Sequence, residues 1–237
     1  IRQIMNRFIT LIVLFSVTAC VFAKKKPEYP RAAIKVGYNY HEKFMRGNVE
    51  YAEHDIPMLL LANPEQSKFY CPATEYKDSL ESTPSGRAKA KQIFDIAVKK
   101  YIESKDKSVM SDVVYKTFIY VFKDNVREAM TVYDKAGMME RGVYEEPFSE
   151  LTWETGDSTK TILGYECIMA TTDYHGRKWT AWFAPEIPVN DGPWKLRGLP
   201  GLILEATDDK GHHRFVAEGI EESSQPMYPI YSQNEYD

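Results

Sequence analysis

Ile34, Val36, Tyr38 and Tyr40 alternate with Lys35, Gly37, Asn39 and His41, the period-two pattern of a strand with one buried face. Ile56 to Leu61 reads as a second strand, ended by Ala62-Asn63-Pro64, and Ser67 to Cys71 continues the sheet before Pro72. The period then changes. Thr83-Pro84 offers a cap with proline in the first helical turn, and Ala90, Ile93, Phe94, Ala97, Val98, Tyr101 and Ile102 recur at helical spacing. They predict one major amphipathic helix, Pro84 to Glu103, whose apolar face packs on the core. Its lysines, Lys89, Lys91, Lys99 and Lys100, read as the solvated face of that helix, the alternative being contact with an anionic surface.

Beyond the helix the pattern returns to strands. Val113 to Phe122 and Val126 to Tyr133 form a predicted hairpin around Lys123-Asp124-Asn125. Leu151 to Glu154, Gly164 to Thr172, Lys178 to Ala184, Leu202 to Thr207 and His213 to Ile220 follow, separated by turns at Gly156-Asp157-Ser158, Asp173 to Gly176, Pro185 to Gly201 and Asp208 to Gly211. Parallel pairs need long crossovers, so these mostly short connections favour antiparallel pairing. The expectation is a β-rich α+β fold: an antiparallel sheet with one major amphipathic helix. Ahead of the strand from Leu202 stands Gly198-Leu199-Pro200-Gly201, a tight corner in which both glycines release a backbone that Pro200 constrains. No atom of it can act as nucleophile, base or metal ligand.

The chain start changes the picture of location. Met5-Asn6-Arg7 precedes twelve apolar-rich residues, Phe8 to Ala19, which suits a signal core and falls short of the roughly 20 needed to span a bilayer. Two processing sites compete. Val17-Thr18-Ala19-Cys20 resembles a lipobox that leaves Cys20 lipidated, and Val21-Phe22-Ala23 suits cleavage before Lys24, making 1–23 the signal and 24–237 a single domain. Either route implies export, to the periplasm or outer membrane of a Gram-negative cell, with a lipid on Cys20 as the sole expected membrane contact. Loss of Arg2 and Arg7 moves the formal charge from -4 to -6, which disfavours a nucleic-acid partner. Cys71 and Cys167 are then the remaining thiols, open to a disulfide in an oxidising compartment or to separate burial as small hydrophobes.

Thr161-Ile162-Leu163-Gly164-Tyr165-Glu166-Cys167, Gly176 to Phe183, Glu186-Ile187-Pro188, Gly192-Pro193-Trp194-Lys195 and the corner Gly198 to Ile203 together resemble the GLPGLI family of secreted Bacteroidetes proteins. The resemblance runs from about Ile34 to Glu221 and is most specific between Trp153 and Ala206. It implies an exported envelope protein without an established activity, and a chain that continues past Asp237. A looser likeness, from Gly164 to Trp182, to periplasmic domains of the lipoprotein-carrier type implies a curved sheet forming an unclosed half-barrel around a groove, with the helix on the concave side or plugging one end.

Candidate chemistry is sparse. Trp179 and Trp182 must point to opposite faces of one strand, so with Trp194 and Arg197 they are candidate ligand contacts of an apolar groove, unless protein covers both faces. Arg177, Lys195 and Arg197 flank the corner as candidate anion contacts or plain surface charge. Adjacent His212 and His213 diverge and cannot share one metal ion, Glu145-Glu146 and Glu221-Glu222 likewise diverge, and no Gly-x-Ser-x-Gly elbow or phosphate loop occurs. The expectation is therefore a binder of an apolar or peptide-like ligand or of a partner protein, without catalytic residues, metal or cofactor. An envelope assembly factor is the second reading, and a hydrolase of exported substrates the third.

Overall fold

The alternating segments assemble into one sheet of eleven strands, described in a computed structural model over residues 28–46, 49–111, 113–136, 140–148 and 151–231. The strands are β1 (Ile34–Arg46), β2 (Val49–Ala62), β3 (Gln66–Tyr70), β4 (Tyr120–Asp124), β5 (Ala129–Ala136), β6 (Glu140–Pro147), β7 (Glu154–Ile162), β8 (Tyr165–Tyr174), β9 (Arg177–Ala184), β10 (Leu202–Asp208) and β11 (His213–Glu222). All neighbours pair antiparallel, in the order β6-β5-β4-β3-β2-β1-β11-β10-β9-β8-β7. The chain meanders outward to one edge, crosses to the other, and meanders back until β11 pairs with β1.

That crossing dictates the shape. β6 ends at Pro147 and β7 begins at Glu154, a reach of about 25 Å at most for extended chain, whereas ten flat strand spacings would separate the edges by about 48 Å. The sheet must curl. Glu146 of β6 indeed accepts hydrogen bonds from the hydroxyl of Tyr174, at the end of β8, at 2.9 Å and from Nζ of Lys195, in the loop between β9 and β10, at 2.6 Å. The curved, unclosed antiparallel sheet expected from sequence is the result.

Neighbours along a strand point to opposite faces, and two buried clusters follow. Phe69 and Val121 join the larger, concave cluster, Tyr70 and Tyr120 the smaller, convex one. Helix α1 (Pro72–Glu81) covers the convex side, where Asp78 accepts from the Tyr120 hydroxyl at 2.6 Å. The long loop 185–201 fills part of the concave side. Its Leu196 and Leu199 are buried, and its Asp191 pairs with Lys123 of β4, whose Nζ also donates to the Gly192 carbonyl at 2.8 Å. The corner closes this loop as scaffold: Gly198 sits at φ +96, and a Cβ on Gly201 would lie 2.3 Å from the Ala184 carbonyl oxygen.

Several expectations are corrected. Helix α2 (Pro84–Ser104) is present, but it buries only Gly86 and Ala97 and packs on α1 and the 3-10 turn Lys107–Met110, not on the concave face. Its periodicity outruns the surface available to cover it. Pro72 reads as a strand terminator, yet it also starts α1, because proline suits a first helical turn. Of the apolar run Val113 to Phe122, only Tyr120 onward enters the sheet, and residues 151–153 likewise precede β7. β6 escapes the alternation rule because an edge strand has little need of an apolar face. Gly156-Asp157-Ser158 forms no turn; it is the irregular stretch of β7, where pairing with β8 shifts between Thr155 and Thr159. Cys71 and Cys167 are free and buried within the larger apolar cluster, the arrangement of the small-hydrophobe alternative. The signal segment 1–23 and Cys20 lie outside the described residues.

Candidate functional site: an aromatic cavity on the concave face

Pairing of the first described strand with the last sets the site. Tyr40 and Phe215 stand directly opposite across β1 and β11, their rings stacked with centroids 4.5 Å apart. Phe69 of β3 meets Phe215 edge-on at 6.0 Å, and Trp179 of β9 lies 6.3 Å from it on the other side. Trp194, carried by the loop 185–201, tilts over Trp179 at 5.5 Å. An aromatic row thus spans the concave face from β3 to β9. With Met58, Phe44 and Phe118 it lines a cavity of about 540 Å³, the size and character of a small-molecule site.

Trp194 is the costly member. Its φ of +51 is left-handed, a conformation that costs a bulky residue about 1–3 kcal/mol and persists only where its surroundings enforce it. Tyr174 packs edge-on against its ring at 5.9 Å and Lys195 Nζ sits 5.1 Å from the ring centre. Lys195 is itself buried and tied to Glu146. The Trp179 ring is fully buried, and among the described residues its Nε1 has no hydrogen-bond partner.

Charges of both signs ring the mouth. Burial raises the carboxyl pKa of Glu42 and of Asp134, the Asp134 charge raises Glu42 further, and both charges raise the hydroxyl pKa of Tyr40. Arg177 is held by Asp208 at 2.5 Å, and Lys135 Nζ rests 4.9 Å from the Phe118 ring centre. The Tyr40 hydroxyl and His213 Nδ1 are 2.8 Å apart. Burial drives the tyrosine pKa well above its ordinary value, while burial and the Arg177 charge press the imidazole down to about 4. A protonated hydroxyl beside a neutral imidazole offers hydrogen bonds to a ligand. These directions oppose the activation that a nucleophile and its base require.

Of the four candidate contacts, the structure brings Trp179 and Trp194 together and leaves the others out. Trp182 occupies the opposite sheet face, half-buried, with Lys160 Nζ 4.4 Å from its ring centre. Arg197 lies away from the cavity, stacked 3.5 Å over Phe148 and bonded to Asn125 at 3.3 Å. The anion reading of Arg177, Lys195 and Arg197 also loses its basis, since each is already engaged within the chain. Sequence reasoning missed Tyr40, Phe69, His213 and Phe215. Each shows the alternation of its own strand, but no local signal announces that β1 pairs with β11. Among the described residues no group of three or more His, Cys, Asp and Glu could hold a metal ion, and no helix is long and apolar enough to cross a membrane.

Residues 173–205, which run from the end of β8 through the corner into β10, match the profile of the family described as Protein of unknown function (Porph_ging). The match bears out the GLPGLI resemblance over the greater part of its most specific segment. No curated protein matches the chain. Two solved structures of PNGF-II resemble it: the form in space group P21 with a TM-score of 0.50 at 11% identity over 88% of this chain, and the form in C2 with 0.48 at 12% over 86%. The chain spans only 30% and 29% of those chains, and the likeness to the first shows fold alone.

Proposed function

We propose that this protein is an exported, non-catalytic binder that holds an apolar or peptide-like ligand in the concave cavity. The observation that carries the reading is the aromatic row, with Trp194 held in an unfavourable backbone conformation so that its ring completes the wall opposite Phe69. Unless something occupies the space, so large an apolar surface left open gains nothing from burial. The mixed charges at the mouth, Glu42 and Asp134 against Lys116 and Lys135, suit a ligand with an apolar body and polar ends.

The four tryptophans allow a direct test. Replacing Trp153 and Trp182 by Phe leaves the cavity pair as the fluorophores. Long-chain fatty acids, lysophospholipids and apolar tripeptides are then titrated, and a saturable quench or blue shift is expected with at least one class. That response disappears when Phe215→Ala and Trp194→Ala are added. Unchanged emission and an unchanged unfolding midpoint across the panel overturn the proposal.

A further inference from the structure

We infer that α1 and α2 form a docking face for an anionic lipid bilayer, independent of the concave cavity. The starting observation is that α2 does not bury the apolar residues its sequence carries. Ile93, Phe94 and Ile96 are 38%, 46% and 49% exposed, and Tyr76 of α1 beside them is 54% exposed. A groove of about 500 Å³ separates the helices, with Tyr76, Leu80, Ile93 and Phe94 in its walls and Lys77, Arg87 and Lys91 outnumbering Glu81 among its charged lining. On the outer flank of α2, Lys89, Ile93, Ile96 and Lys100 follow at intervals of four, three and four, which puts them in one stripe along the helix.

The charge says what covers this face. From Pro84 to Lys107 there are seven Lys and Arg residues against three acids, a surplus of four, in a chain whose formal charge is -4. Among the described residues no ion pair holds Lys89, Lys99 or Lys100; Lys91 alone is paired, with Asp95 at 2.6 Å. The face is therefore a cationic, apolar strip on a protein that is otherwise acidic. Lysine stems lie along apolar surface and carry their ammonium groups outward, so a stripe with isoleucines at its middle and lysines at its ends fits the plane of anionic headgroups, apolar side down. A protein partner fits less well. Interface cores are depleted in lysine and favour aromatic and arginine anchors, whereas exposed lysines dominate here.

The test places an environment-sensitive fluorophore on the strip. Cys71 and Cys167 are 1% and 0% exposed, so a chain carrying Cys20→Ser and Ile96→Cys labels selectively at the new thiol, and Ile93→Cys supplies a second reporter should the first disturb the helix. Vesicles of phosphatidylethanolamine with phosphatidylglycerol are expected to raise and blue-shift the emission, vesicles of phosphatidylcholine alone to leave it unchanged. Adding Lys89→Gln and Lys100→Gln is expected to weaken the apparent affinity about tenfold or more, and high salt to do the same. An unchanged signal with the anionic vesicles, or an equal rise with phosphatidylcholine, overturns the inference. So does a rise with polyglutamate and none with vesicles, which assigns the strip to an acidic protein.

Discussion

Lys123 and Asp191 show how much one pair can carry at the residue scale. Both side chains are within the core, and the ammonium meets three acceptors, Asp191 Oδ1 and the carbonyls of Gly192 and Leu196. Burial lowers the Lys123 pKa while Asp191 opposes the shift. Asp191→Ala strands a buried cation and is expected to cost about 3–5 kcal/mol in denaturant unfolding, whereas Lys123→Met with Asp191→Leu recovers most of that loss. If the single and double variants are equally destabilised, the pair does not act as a unit. His213 sets a second residue-scale expectation. Its folded pKa of about 4 lies below the unfolded 6.5, so the unfolded chain takes up the proton first and stability falls as pH drops from about 6.5 towards 4. Glu42 and Asp134, whose pKa values burial raises, act in the opposite sense and gain stability on protonation. His213→Gln should flatten the loss in unfolding free energy between neutral pH and pH about 4.5. Opposite-face placement of Trp179 and Trp182 was legible, because period two is local. The Lys123–Asp191 pair was not, because 68 residues separate its members and neither has a distinctive neighbourhood.

Among the elements, the strands from β8 to β11 lie close to their sequence boundaries because tight turns at Asp173 to Gly176 and Asp208 to Gly211 punctuate them. Helix α2 is the instructive case in the other direction. Its existence and limits were readable from Thr83-Pro84 and the apolar spacing, but spacing shows which side is apolar and not whether anything covers it. With so little packing, local devices must hold it. Thr83 accepts a hydrogen bond from the Gly86 amide at 3.0 Å, and Lys105 closes the far end at φ +59. Amide exchange in α2 is therefore expected to proceed through local opening, well before exchange in β1, β2 and β11. Thr83→Ala removes a cap worth about 1 kcal/mol, which corresponds to roughly fivefold faster exchange across α2 with the sheet unaffected. Uniform acceleration in helix and sheet alike would instead mean that α2 opens only with the whole molecule.

Taken whole, the molecule is governed by its longest-range feature, the return of β11 to β1. The order of strands along the chain is simple, yet the sheet it makes depends on which edge the crossing after β6 reaches, and a six-residue link is what forces the curl. That curl turns an aromatic row into the wall of a cavity. It also leaves a volume of about 540 Å³ that the protein's own side chains do not fill, so a bound ligand would add burial to the folded state and none to the unfolded one. At a free concentration of 100 times Kd a ligand binding only the folded form contributes about 2.7 kcal/mol, which for a domain of this size corresponds to a rise in Tm of roughly 5–10 °C. The same ligand should leave the Tm of a Phe215→Ala, Trp194→Ala variant nearly unchanged while Lys89→Gln, Lys100→Gln retains the full shift. A shift that survives loss of the aromatic wall, or one that vanishes with the α2 lysines, would place the bound molecule outside the concave face and separate the cavity from the function assigned to it.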